Sequence, residues 1–266
     1  MAIYTFRVQA VGGKFLADDI GGARIVIHDA DTGNVLGSGV TQGDSGTLYG
    51  PAPSTAPTTA QIAQASKNVV MAGNSLWWLV PGSGSSKLEV DLNLTQPKLV
   101  RLQVTGPLGG LQSAVTVRVP MWLSPNQAAP ALPGYVIPLP GLLVYPIVPQ
   151  IHQPVKAPNK IVLEAKVTMM CGCPVEGTAP WYWPPGDFVV KARVKRTGGG
   201  LPVYQESVDL PHLSTEPNQQ STFFADRPID VPANLTGTVF WEVVFDAFQK
   251  STGNAGSATA NFYCQY

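Results

Sequence analysis

The feature that most restricts this chain is a two-residue hydrophobic period that recurs along its length. Tyr4, Phe6 and Val8 alternate with Thr5, Arg7 and Gln9, and Ile25 and Ile27 alternate with Arg24, Val26 and His28. Leu88, Val90, Leu92 and Leu94 face away from Glu89, Asp91 and Asn93, while Val100, Leu102 and Val104 oppose Arg101, Gln103 and Thr105. Val115, Val117 and Val119 close this first series. Successive side chains of a strand point to opposite faces, so each run reads as a strand with one dry and one wet side. Such strands belong to antiparallel sheets.

The period returns after Lys160. Ile161, Leu163, Ala165, Val167 and Met169 share one face, as do Phe188, Val190, Ala192 and Val194. Trp241, Val243, Phe245 and Ala247 form another set, and Ala258, Ala260, Phe262 and Cys264 a last one. With 27 Gly and 25 Pro in 266 residues, turns are plentiful and long helices are disfavoured. The pattern predicts an all-β protein of two antiparallel β-sandwich domains, spanning 1–125 and 160–266, joined by a Pro-rich apolar segment over 126–159. A loop insertion near 51–75 interrupts the first domain, and Ala60–Asn68 within it reads as a short helix. The segment 126–159 is too rich in proline to continue a ladder, because each proline removes a donor. Yet Leu142, Leu143, Val144 and Tyr145 are too apolar for a solvated linker, so they are expected to lie in a groove between domains or against another copy.

Within the first domain, Asp29-Ala30-Asp31-Thr32-Gly33 and Thr41-Gln42-Gly43-Asp44-Ser45-Gly46 frame a strand–turn–strand pattern. It resembles the carboxypeptidase-regulatory-like and transthyretin-like β-sandwich modules. The resemblance implies a sandwich and a non-catalytic appendage of secreted or surface proteins. The strand spacing of 160–266 resembles an immunoglobulin-like sandwich.

Charge narrows the partners. Lys+Arg and Asp+Glu number 17 each, so the formal net charge is zero, and charged residues are 13% of the chain. A nucleic-acid surface would need a basic stripe, which is not expected here. No apolar stretch approaches the roughly 18 residues of a membrane span. Residues 1–13 alternate and do not read as a signal peptide. Zero net charge offers little protection against self-association.

Cys171-Gly172-Cys173 is the most unusual local feature. Cys171, Cys173 and Cys264 all fall on predicted core faces, which points to a disulfide from Cys264 to Cys173, with Cys171 as the other possible partner. Met169, Met170, Cys171 and Cys173 are also soft ligands of the type copper(I) prefers. Trp181, Tyr182 and Trp183 form an aromatic cluster suited to stacking on a carbohydrate or to plugging the end of the sandwich. Trp77-Trp78 is a similar pair. His28, His152 and His212 form no constellation, and no nucleophile elbow or phosphate loop is present.

The sequence therefore predicts a non-catalytic extracellular or cell-surface structural or interaction protein without a cofactor. Its expected partner is itself, through strand edges and the Pro-rich segment, or another surface protein. A carbohydrate-binding module at Trp181, Tyr182 and Trp183 is the alternative, and a copper-binding protein at Cys171 and Cys173 a second.

Overall fold

A computed structural model describes the chain except residues 1–2, 51–55, 57, 66–69, 73–74, 126–132, 157–159, 177–182, 198–204, 214–220, 226–228, 231–236 and 266. The chain divides into two compact units, Met1–Gly141 with Met169–Cys173, and Leu142–Thr168 with Pro174–Tyr266.

In the first unit, β1 (Ile3–Ala10), β2 (Arg24–Asp29), β3 (Val35–Val40) and β4 (Thr47–Tyr49) precede helix α1 (Thr59–Gln64). Next come β5 (Val70–Ala72), β6 (Ser75–Val80), β7 (Leu88–Asp91), β8 (Lys98–Gly106), β9 (Val115–Leu123) and β10 (Tyr135–Leu139). They form sheets ordered β10-β1-β7, β3-β2-β8-β9 and β4-β6-β5. The alternating runs supply the core: Tyr4, Phe6, Val8 and Ala10 from β1, Ile25 and Ile27 from β2, and Val100, Leu102 and Val104 from β8 are all buried. Edge strand β3 lies close against β7. A side-chain carbon at Gly37 would stand 2.7 Å from Val90 Cγ1, and one at Gly39 would strike Leu88. Only glycine allows that approach.

The described residues of the expected insertion carry regular structure. Strands β4, β5 and β6 pair antiparallel, and α1 starts on a capping box in which Thr58 and Gln61 bond each other's backbone N–H.

In the second unit the strands are β11 (Leu142–Val148), β12 (Gln153–Lys156), β13 (Lys160–Ile161), β14 (Glu164–Met169) and β15 (Phe188–Thr197). Then follow β16 (Gln205–Asp209), β17 (Thr222–Phe224), β18 (Ile229–Asp230), β19 (Thr238–Gln249) and β20 (Ala255–Gln265). A five-stranded sheet, β12-β20-β19-β15-β16, accompanies a three-stranded one, β11-β14-β17, and a short β13-β18 pair. Strand β11 packs on β19 and β20. The inward residues Trp241, Val243, Phe245, Ala258, Ala260, Phe262 and Cys264 are buried, as their period requires. Nearly all pairing is antiparallel, but β1 runs parallel to β10 (Phe6↔Tyr135) and β12 parallel to β20 (Val155↔Cys264).

The fold is all-β with sandwich-like sheets. The described part of 126–159, however, is mostly strand and not an extended linker. Tyr135–Leu139 is β10 of the first unit and Leu142–Val148 is β11 of the second. Both are sheet edges, where Pro138 and Pro146 can present their missing donor away from the ladder.

Candidate functional site

Arg7 is the first departure from the alternation. By parity it should face water, yet it is 1% exposed, and Gln9 beside it is equally buried. Its Nε donates to the Pro133 carbonyl at 2.9 Å, and its Nη1 donates to the carbonyls of Ser85 and Ser86, the latter at 2.9 Å. The guanidinium also stands 5.5 Å from the Phe15 ring centre. Burial pulls its pKa below the ordinary value, against the opposing fields of Glu89 and Asp44. Asp44 organises the same region. Its Oδ1 accepts from Gly46 N–H and from the Ser85 hydroxyl, both at 2.7 Å. Its backbone bonds Gly84 and Ser86. Gly43–Ser45 thus forms a strip that clasps 84–86 above Arg7. Every one of these polar groups is engaged in holding chain to chain.

The Asp29–Gly33 turn is built in the same manner. Asp29 Oδ1 accepts from the N–H groups of Asp31 (2.9 Å) and Thr32 (3.2 Å), while Oδ2 pairs with Lys98 of β8 at 2.5 Å. The Lys98 bond, helped by the Thr32 and Asp31 N–H groups, lowers the Asp29 pKa from 3.8 to about 2. A carboxylate whose folded pKa is depressed stabilises the fold fully above its unfolded value and loses that contribution as pH falls through the folded one. The urea midpoint should therefore fall between pH 3.8 and about 2, and Asp29→Asn should flatten that limb of the profile. An unchanged acid limb in the variant would remove Asp29 as its cause.

No disulfide joins the three cysteines. The expected Cys173–Cys264 bridge is therefore corrected. Cys264 lies fully buried on the inner face of β20, in the second unit, whereas Cys171 and Cys173 belong to the turn assigned to the first. Their sulfurs approach each other, Sγ to Sγ, at 2.6 Å. Cys171 is 2% exposed and Cys173 is half-buried. Burial pushes the Cys171 thiol up, but the Cys173 thiol, the Lys14 and Cys173 backbone N–H groups and the Lys14 ammonium together bring it below its usual value. The Cys171 contact, then burial, drives Cys173 well above its own. Met169 and Met170 are fully buried nearby in sequence. Among the described residues no cluster of three or more His, Cys, Asp or Glu is arranged to hold a metal.

Trp181 and Tyr182 lie outside the described residues. Trp183 is 4% exposed, and its carbonyl accepts from Glu176 N–H at 3.3 Å, so its ring is no stacking platform. Glu176 itself is buried, and burial raises its pKa. Trp77 and Trp78 are both half-buried in β6, and Trp77 lies over Gly50. Leu142, Leu143 and Val144 are interior to the second unit, at 0%, 0% and 2% exposure. They form no interface, and Tyr145 alone of that group reaches the surface. The histidines remain apart: His28 bonds the Gly33 carbonyl, His152 lies in a turn, and His212 packs edge-on against Phe223.

Exposed aromatics mark the outer face of the five-stranded sheet, which the alternation assigned to water. Phe240 is 55% exposed and Phe248 46%, both on β19, and Phe240 meets Tyr263 of β20 with ring centres 6.2 Å apart. The ion pairs Arg193–Asp246 and Lys191–Asp209 share this sheet.

No family model matches the chain. Among curated proteins none is similar to it. Among solved structures, domains 4 and 5 of the S-layer protein SbsC align with 100% of this chain and 98% of that one, at 12% identity and a TM-score of 0.24. A score that low identifies no shared fold. Among the described residues, no helix is long and apolar enough to cross a membrane.

Proposed function

We propose that this is a non-catalytic structural or interaction protein of the cell exterior, which associates with a second copy of itself through the outer face of the five-stranded sheet. The observation that carries this reading is the exposed Phe240 ring against Tyr263 at one end of this solvent face, with Phe248 exposed at the other end of β19 and the Arg193–Asp246 pair between them. Exposed aromatic rings set among charged groups are common anchors of protein interfaces. Zero formal net charge adds no long-range repulsion between copies. Strand-edge addition is the weaker route. Edge strand β9 carries Arg118 and Pro120, β12 carries Pro154 and Lys156, and β16 carries Glu206 and Asp209, all of which discourage a further strand. The remaining edge of the same four-stranded sheet, β3, is covered by β7.

We further read the second unit as immunoglobulin-like, because its first stretch changes sheets, β11 joining β14 and β12 joining β20. The cell-exterior assignment rests on fold-level analogy with the many surface proteins built from such sandwiches. Light scattering over a concentration series tests the association. Wild type should gain mass with concentration, and a Phe240→Lys/Phe248→Lys protein of unchanged circular dichroism should remain monomeric. Wild type that scatters as a monomer up to its solubility limit would overturn the reading.

A further inference from the structure

The turn Met169–Cys173 is built to bring two sulfurs together. Met169 N–H donates to the Cys173 carbonyl at 3.0 Å and Gly172 N–H to the Met169 carbonyl at 2.8 Å, closing the loop at both levels. Gly172 has φ of 76°, the left-handed region that a side chain disfavours. A carbon there would also stand 2.6 Å from Ile20 Cγ2. Glycine is thus required twice over, by conformation and by space, between the two cysteines. Across from them, a carbon on Gly13 would lie 3.1 Å from Cys171 Sγ, so the absent side chain leaves the sulfur its seat. The two sulfurs, 2.6 Å apart, need little further approach to the ~2.05 Å of a covalent bond.

From this geometry we infer that Cys171 and Cys173 form a redox-active dithiol site, which low-molecular-weight disulfides of the glutathione class oxidise to an intra-turn disulfide. The exposure of the two residues sets the order of events. Cys173, the less buried residue of the two, is placed to meet an outside reagent first, and Cys171 resolves from behind it. Cys173 thiolate attacks one sulfur of the small disulfide, forming a mixed disulfide and releasing one small thiolate, which takes up the proton Cys173 gave. Cys171 then gives up its proton and attacks the Cys173 sulfur. The protein S–S bond forms, the mixed bond breaks, and the second small thiol leaves with that proton. Two protein thiols lose two electrons and two protons, and the small disulfide gains both. Access and acidity are divided between the pair: Cys173, whose thiol is held above its usual value, loses its proton only as it attacks, whereas Cys171, held below its own, ionises readily for the resolving step. This site is independent of the proposed sheet-face association, since none of its residues lies on that face.

The test is thiol counting and intact mass on the full-length folded chain, reduced and then exposed to oxidised glutathione without denaturant. Wild type should go from three titratable thiols, counted after unfolding, to one, with no retained glutathione. The peptide 167–191 should carry the new bond internally. Cys171→Ser should halt at a stable glutathione adduct on Cys173, and Cys173→Ser should stay unmodified while folded, because its remaining turn thiol is buried. Cys264→Ser should react as wild type does. Three thiols surviving in folded wild type, or a bond that includes Cys264, would overturn the inference whatever the variants do.

Discussion

Arg7→Met should lower the stability of the first unit by about 3–5 kcal/mol, read as a shift in urea midpoint at constant slope. The substitution keeps the length and apolar stem of the side chain while stranding the carbonyls of Pro133, Ser85 and Ser86, which Arg7 now satisfies. A buried acceptor left without a donor costs about 1–3 kcal/mol, and three carbonyls converge on this one guanidinium. Arg7→Lys should recover less than half of the loss, since an ammonium cannot spread three donors over the same fork. A shift below about 1 kcal/mol would mean that water replaces the guanidinium without penalty.

The second large effect is expected at Trp241. It is the largest fully buried side chain, stacked on Phe262 with ring centres 5.9 Å apart and planes 12° from parallel, and capped by the Arg196 guanidinium at 5.9 Å. Trp241→Ala should cost the second unit about 3–5 kcal/mol through lost transfer energy and the cavity left behind. Trp241→Phe should cost less, because it retains the pairing with Phe262. Calorimetry of the two variants side by side should find each lowering a different transition. A single transition shifted equally by both would mean that the two units unfold as one.

The strands were legible because their information is local. A run such as Trp241–Ala247 or Leu88–Leu92 declares its own faces. Two kinds of feature were not. The first was the stretch around 126–159, where proline density suggested a linker. Proline excludes a strand only if both of its edges must bond, and sequence does not reveal that Tyr135–Leu139 and Leu142–Val148 each stand at the end of a sheet. The second was Arg7. Its parity was read correctly, but whether the outward face of β1 meets water depends on residues 85, 86 and 133, which only the tertiary fold brings there. A faint signal existed in the glycines and serines of 82–86, which permit a chain to lie flat upon a sheet. The cysteines were mispaired for a related reason. Inward parity puts Cys171 and Cys264 in dry surroundings, as they are, but it does not tell that they belong to different units or that Cys173 is only half-buried.

The parallel pairings of β1 with β10 and of β12 with β20 have a consequence for synthesis. As a chain leaves the ribosome, β1 emerges before both of its partners, and the second arrives only with Tyr135–Leu139. The apolar run Tyr4–Ala10 must therefore wait, unsatisfied, through most of the making of its own unit. Strand β12 waits likewise until Phe262–Gln265 have been added. Closing such distant contacts delays the entropic reward of pairing, and throughout that interval the waiting strands are open to wrong partners.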